Sequence, residues 1–448
     1  MRAHFLTDRL FDGATVHTGR ALRLTVEGDR ITYVGDHASG PAVAAGEEVA
    51  DLTGCSLLPG LIDIHVHLSY GNAEANEDID IYTPFEYRAL RAMVYAQQVL
   101  MAGYTSIADP ASTGRVSVAV RDAINAGWYT GPRVTAAGRQ LTSRQGLGDW
   151  YPPWIGVPES SIGALVRSPE EAKEEIRQQV KDGVDLIKID FDGTQMNPRT
   201  GHLMACFDQA EASAMVAEAQ RLGRRVVAHA VDREAVLYAA RAGADVIFHA
   251  FDMDEECLEA IVANGCMLSP ALTFLYNAIE FTQPSDPSFS WRPARNRKVV
   301  ERAVEVLSAA RKAGVPFLVG TDSGFAITPY GEWHARELEI MVDDLGFTPR
   351  EALAATTVNN ARVLREHADV GALAPGKLAD FIVVKGDPVA DVGTLMKPGA
   401  IEAVYLGGRR TALAPPAATR RYSWEHSHRQ WSEVYDRDRV ARLRAAAR

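Results

Sequence analysis

Eight short runs of β-branched and apolar residues, separated by helical stretches and many of them ending in polar residues, occupy the chain from Gly60 to about Gly346. They are LIDIHVH (61 to 67), YTSIAD (104 to 109), RVTAAG (133 to 138), LIKID (186 to 190), VVAH (226 to 229), VIFHA (246 to 250), MLSPAL (267 to 272) and FLVGTD (317 to 322). That rhythm belongs to a parallel α/β protein, whose strands are covered on both faces by crossover helices. The segments between them, such as PFEYRALRAMVYAQQVLMAG, SPEEAKEEIRQQVKDG and QAEASAMVAEAQRLG, have helical periodicity. Several open on Pro or Ser and stop at Gly, the expected capping asymmetry. Eight such units in about 290 residues predict a (β/α)8 TIM barrel over residues 60–370. A doubly wound open sheet has the same alternation, but the convergence of polar strand ends described below favours closure.

The chain ends read differently. LRLTVEGDRITYVGD places a turn at Gly28 and Asp29 between two period-2 runs, and DFIVVKGDP and IEAVYLGG repeat that character late in the chain. Residues 1–59 together with 371–410 are therefore expected to form a small β-sandwich domain beside the barrel. Residues 411–448 are charged, with aromatics in RRYSWEHSHRQW, and are expected to pack as a helical tail without chemistry.

Composition narrows the function classes. Of 448 residues, 47% are hydrophobic, enough for a large core, and the net charge of −11 offers no general attraction to nucleic acid or an anionic membrane. The expected partner is a small molecule. MRAHFLTDRLFDG lacks the apolar stretch of a secretory signal, and no later stretch approaches 18 uninterrupted apolar residues, so a cytoplasmic location is expected. Cys55, Cys206, Cys257 and Cys266 are scattered, which argues against a disulfide framework and a cysteine-based zinc site.

His65 and His67 are two residues apart at the end of a predicted strand, so their side chains share one face, the interior of a barrel. Four further strand ends carry residues able to bind metal: Lys188, His229, His249 and Asp322. All would converge on the mouth where barrel enzymes keep their active sites, and imidazole with carboxylate suits zinc, manganese or iron(II).

GLIDIHVHL, LIKID, VVAHA, VIFHA, GTDSG and the late GALAPGKLADFIVVKGDP together resemble the amidohydrolase superfamily, specifically its imidazolonepropionase-like and prolidase-like (Xaa-Pro dipeptidase-related) branch. The likeness runs from about Asp51 to Arg410. It implies two divalent metal ions, zinc first among candidates that include manganese, cobalt and iron(II). In that scheme His65, His67 and Asp322 bind the more buried ion and His229 and His249 the more exposed one. Lys188, as a carbamate derived from CO₂, bridges both. Burial beside cations lowers a lysine pKa and frees the amine to react. Lys188 as an ordinary lysine paired with Asp190 or Asp192, beside a single metal, is the alternative. The implied chemistry is hydrolysis of an amide-type C–N bond by a water activated at the metal pair, with Asp322 as general base. The substrate would be an N-acyl amino acid, a dipeptide, an aryl amide, a carbamate or a urea.

Substrate choice belongs to the loops. Prolidase-like relatives carry a Gly-Gly-His-Gly motif where this chain has Ser143, Arg144, Gln145 and Gly146, a departure that argues against simple dipeptidase activity. Arg144 and Gln145 are expected to contact substrate, and Trp150, Tyr151 and Trp154 to form an aromatic wall. Tyr276 is a candidate oxyanion donor or a helix-face tyrosine, and His334 a catalytic residue through substrate contact or support of a metal ligand. His4, His17, His37, His202, His367, His426 and His428 are read as non-catalytic. A one-metal cyclic-amide hydrolase or heterocycle deaminase expects an acid close behind the fifth strand, whereas here HAVD follows and Glu234 stands five residues beyond His229. A lactonase or phosphotriesterase is a further variant, and a scaffold without catalysis conflicts with the full ligand set. Barrels of this kind often assemble through their helices, so a homo-oligomer is expected.

Overall fold

Buried parallel strands need apolar side chains on both faces, and the runs at the centre of the chain supply them. The computed structural model describes residues 2–416 and 430–446. Leu61–Asp63, Tyr104–Asp109 and Arg133–Ala136 pair in parallel as a three-stranded sheet. A second parallel sheet runs in the order Gly163–Leu165, Gln140–Thr142, Leu186–Asp190, Arg225–Ala230, Val246–His249 and Met267–Ser269. Backbone bonds link the two: Asp185 N–H donates to Ala136 O (2.7 Å), Leu318 N–H to Leu268 O (2.8 Å) and Ile64 N–H to Val319 O (3.1 Å).

The eighth run joins through such isolated bonds rather than a ladder, and its Gly320 shows why the approach is close. A Cβ there would sit 2.6 Å from the Cβ of His65, so only glycine lets this segment lie against the first strand. Gln140–Thr142 and Gly163–Leu165 were not expected as strands; at three residues each they are too short to show a period.

The helices begin and end where the capping residues stand. Ser168 accepts from Glu171 N–H ahead of Pro169–Lys181, Asp208 and Glu211 form a capping box for Gln209–Arg221, and Gly243 and Gly265 adopt left-handed C-caps. No helix among the described residues is long and apolar enough to cross a membrane.

Both chain ends build one sheet, in the order Arg409–Thr411, Ile401–Leu406, Phe381–Lys385, Cys55–Pro59, Arg2–Phe11, Val16–Glu27 and Arg30–Asp36, with Glu48–Asp51 also on Arg2–Phe11. Its hydrogen bonds run without a break while the sheet turns back on itself: Phe5 of the first strand meets Phe381 at 4.9 Å and Tyr405 at 5.0 Å, and both halves share one apolar core. The long first strand joins the two halves, pairing Glu48–Asp51 through Ala3 to Leu6 and Cys55–Pro59 through Arg9 and Leu10. Arg133 forks onto Asp380 at 2.6 and 3.1 Å, tying this sheet to the third strand. In the tail, Arg437–Ala446 is helical as expected, while His426 and His428 lie outside the described residues.

Candidate active site

Alternation carries Asp63, His65 and His67 to one side of the first strand and its extension. Asp63 is fully buried; its Oδ1 accepts from His65 N–H (2.9 Å) and Thr321 N–H (3.3 Å), and its Oδ2 from the Thr321 hydroxyl (2.5 Å). The same oxygen lies 2.7 Å from His334 Nδ1. The first and eighth segments are thereby locked in register. Asp322 follows at once, with Oδ1 3.2 Å from His67 Nε2 and 3.5 Å from His65 Nε2. Its backbone is left-handed (φ 55°), as is that of His249 (φ 76°), a conformation that costs a non-glycine residue about 1 kcal/mol or more and collects at functional sites.

Burial sets the charge states. It holds the His65 and His249 imidazoles well below their ordinary pKa, hence neutral, the form that ligates metal. Their Nδ1 atoms are buried without a hydrogen-bond partner. Burial also lowers Lys188 to about 8, against the pull of Asp190 and Asp322. Its Nζ lies 4.3 Å from the centre of the Phe248 ring and forms no ion pair with Asp190 or Asp192. Burial would raise Asp322, but the hydrogen bond of its Oδ1 with His67 Nε2 holds its carboxyl below the usual range. Asp190 is pushed up to about 7 by burial, and both of its oxygens lack a hydrogen-bond partner.

His65, His67, Lys188, His229, His249 and Asp322 all line one cavity of about 230 Å³. Ligand atoms of His65, His249 and Asp322 lie within 4.8 Å of one another, a candidate metal site, and the His229 and His249 rings are 4.6 Å apart. Residues 56–411 match the sequence model of the Amidohydrolase family. The chain belongs to the amidohydrolase family.

Relatives agree with that placement over most of the chain. It is 27% identical to ochratoxinase of Aspergillus niger over 406 residues, 87% of this chain and 82% of that one. It is 26% identical to imidazolonepropionase of Ralstonia nicotianae over 380 residues, 83% and 88% of the two chains. A crystal structure of a Xaa-Pro dipeptidase with methionine bound in the active site superposes with a TM-score of 0.80 at 26% identity, covering 92% of this chain and 100% of that one. The protein is thus an amidohydrolase-family hydrolase with a candidate histidine and aspartate metal site.

Several expected substrate contacts of this amidohydrolase lie elsewhere. Arg144 and Gln145 are exposed and outside the cavity; Arg144 lines a separate groove with Val166, Phe207 and Met215. The cause is a backbone bridge between Gly146 and Gly193, so close that a Cβ on Gly193 would lie 2.1 Å from Gln145 O. It turns residues 143–146 away and brings Leu147 and Trp150 to the cavity instead. Trp150 is held by its Nε1–H on Asp80 Oδ2 (2.8 Å), which also accepts from Tyr151 OH (3.2 Å) and Ser161 Oγ (3.0 Å). Trp154 is 84% exposed and forms no wall.

Tyr276 donates to Asp344 Oδ2 (2.7 Å) and does not line the cavity, whereas Phe274 and Leu275 do. One residue on a helix is about 100° of rotation, so Leu275 faces in and Tyr276 faces out. His334 is buried behind the ligands, with Asp63 on Nδ1 and Gly331 N–H donating to Nε2 (3.0 Å). It stands against Asp63 and does not line the cavity.

Sequence reasoning missed Tyr70, Gln140, Phe251 and Phe325 in the lining, and Glu337, which accepts from Leu272 N–H (3.0 Å) and Thr273 N–H (2.7 Å) at the start of Thr273–Phe281. Asp63 alone had a local signal, standing two residues before His65 on the same strand face. Among the other histidines, His4 bonds Thr25 and Glu47, and His202 lies 3.0 Å from Asp232.

Proposed function

We propose that this chain hydrolyses an amide-type C–N bond with two divalent metal ions, zinc foremost, at the floor of the cavity of a closed (β/α)8 barrel spanning 60–370. In this reading the terminal sheet of 1–59 and 371–410 flanks the barrel. The observation that carries it is the gathering of six ligand-type side chains around one cavity, with His65 and His249 kept neutral by burial.

The donor set fits the ions. His65, His67 and Asp322 would hold one, His229 and His249 the other, and carboxylated Lys188 would bridge them. A depressed ammonium pKa and the absence of an ion pair on Lys188 support an amine free to take up CO₂. Divalent cations bound there supply Lewis acidity toward a carbonyl oxygen and lower the pKa of water.

The chain's own groups do the remaining work. Asp322, its Oδ1 between the His65 and His67 rings, accepts the proton of the attacking water and delivers it to the leaving nitrogen. Tyr70, Leu147, Trp150, Phe251, Phe274, Leu275 and Phe325 exclude water and favour a substrate with an aromatic or branched apolar group beside the scissile carbonyl. Relatives named ochratoxinase and Xaa-Pro dipeptidase support cleavage next to a carbonyl, and an aryl amide, N-acyl amino acid, carbamate or urea suits these walls best.

The deciding experiment counts metal per chain by elemental mass spectrometry on wild type and Lys188→Ala purified with bicarbonate. About two ions in wild type, falling sharply in the variant, are expected. One ion in both makes Lys188 structural and moves the cyclic-amide or deaminase reading ahead. Silence of the metal-loaded protein across a panel of amides, carbamates and ureas counts against the C–N assignment.

A further inference from the structure

A row of aromatic rings leads from the candidate metal site into the last described segment of the chain. Tyr70 stacks on His67 at 4.2 Å with the planes 6° apart, and Phe325 meets Tyr70 edge-on at 5.1 Å. Phe274 meets Phe325 at 5.2 Å and 74°, and Trp431 meets Phe274 at 5.8 Å and 83°. The first four rings line the cavity, and Trp431 stands behind them, 1% exposed. The Arg292 guanidinium lies 4.9 Å from the indole centre.

The backbone around Trp431 is fastened to loops from three places in the fold. Gln430 N–H donates to Glu74 O (2.7 Å), beyond the first strand. Ser288 Oγ donates to Gln430 O (2.9 Å) and Ser432 N–H to Asp286 Oδ1 (2.6 Å), in the connection after Thr273–Phe281. Tyr435 N–H donates to Ala326 O (2.9 Å) and Trp333 Nε1–H to Tyr435 O (2.8 Å), beyond Asp322. The tail thus clamps the loops next to Tyr70 and Phe325 and the connection that follows the helix carrying Phe274. Trp431 Nε1 meets no acceptor among the described residues, so the ring surface rather than a hydrogen bond is what this position uses.

We infer that Trp431 is a positioning residue for substrate selection: it holds Phe274 and Phe325 as the wall that receives the apolar group beside the scissile carbonyl. This rests on the cavity being the substrate site proposed above. Removing the indole leaves Phe274 without its backing, so a bulky aromatic group loses a fixed surface while a small one, which does not reach the wall, loses little.

Two readouts separate the inference from the proposed reaction. The first is calorimetric binding of 2-naphthamide to the metal-free full-length chain, which needs no turnover. Wild type and Trp431→Phe are expected to bind alike and Trp431→Ala about tenfold more weakly. Equal binding by all three, or no binding by wild type, overturns the inference. Trp431→Leu, which fills most of the volume without a ring, replaces the alanine variant if that one does not fold. The second readout is hydrolysis of acetyl and naphthoyl para-nitroanilides by the metal-loaded proteins. A rise in KM of about tenfold for the naphthoyl compound alone, with kcat within about twofold, supports the assignment; an equal loss on both compounds, with lost metal, overturns it. Failure of wild type to cleave any C–N substrate removes the proposed reaction and leaves the binding result to decide the inference.

Discussion

At the scale of single residues, the site depends on a carboxylate held low and imidazoles held neutral. Asp322 combines a left-handed backbone, contact with His65 and His67, and a carboxyl held low by its hydrogen bond with His67. Asp322→Asn is isosteric and leaves the packing intact, so the melting temperature should stay within a few degrees while turnover falls about 10³-fold, the range of a lost general base. Near-native kcat in that variant sinks the assignment. His334 acts one step back, through Asp63. His334→Ala removes one of the two donors to Asp63 Oδ2, leaving Thr321 alone to hold the carboxylate that receives His65 N–H. Metal affinity should drop about 10- to 100-fold in a chelator competition, with the far-UV dichroism unchanged.

Elements meet around the cavity through buried carboxylates that receive backbone and side-chain donors. Asp80 is the anchor of the 147–162 loop: burial raises its carboxyl to about 6, while Ile162 N–H, Ser161, Trp150 and Tyr151 pull the other way. A carboxyl with a raised folded-state pKa contributes stability that is present below its unfolded value of 3.8 and is lost as pH rises through about 6. The stability of wild type relative to Asp80→Asn should therefore decline by about 3 kcal/mol across that window, read from urea unfolding at pH 4 and pH 7. Parallel profiles would show that folding leaves the pKa of this carboxyl unchanged. Glu337 plays the corresponding part for Thr273–Phe281, since its carboxylate receives the first amides of the helix that carries Phe274 and Leu275.

For the whole molecule, the sheet of both chain ends is the structural joint. Phe381–Lys385 lies between Cys55–Pro59 and Ile401–Leu406, so the late segment is interior to the sheet, and Asp380 is 5% exposed beneath Arg133. A chain cut after residue 370 loses that strand and the apolar side chains of Phe381, Ile382, Val383 and Val384, each fully buried. It also leaves Arg133 and the edge of Cys55–Pro59 without partners. Such a truncation should fail to fold, seen as loss of the cooperative thermal transition. A truncated chain melting cooperatively near the wild-type temperature would show the central α/β region to be independent of the terminal sheet.

Much of this was readable along the chain because the physics is local. Parallel strands show as apolar runs and helices as a 3.6-residue period. Alternation alone brings His65 and His67 to one face, and polar strand ends such as Lys188, His229, His249 and Asp322 fall at one rim once the strands are parallel. The terminal sheet was legible for the same reason, although its continuity depended on one long strand pairing two others. The cavity walls were not legible. Arg144 and Trp150 sit in the same loop, and a glycine-to-glycine approach between Gly146 and Gly193 decides which of them turns inward. Leu275 and Tyr276 are neighbours that a helical rotation sends to opposite surroundings. His334 meets Asp63 across 271 positions and Trp431 meets Phe274 across the fold, contacts with no periodic trace. The sequence by itself determined the frame and the candidate ligands, since backbone geometry repeats every two or 3.6 residues. Only the tertiary structure decided which loops, and which side of each, close over them, because that follows from how distant segments pack.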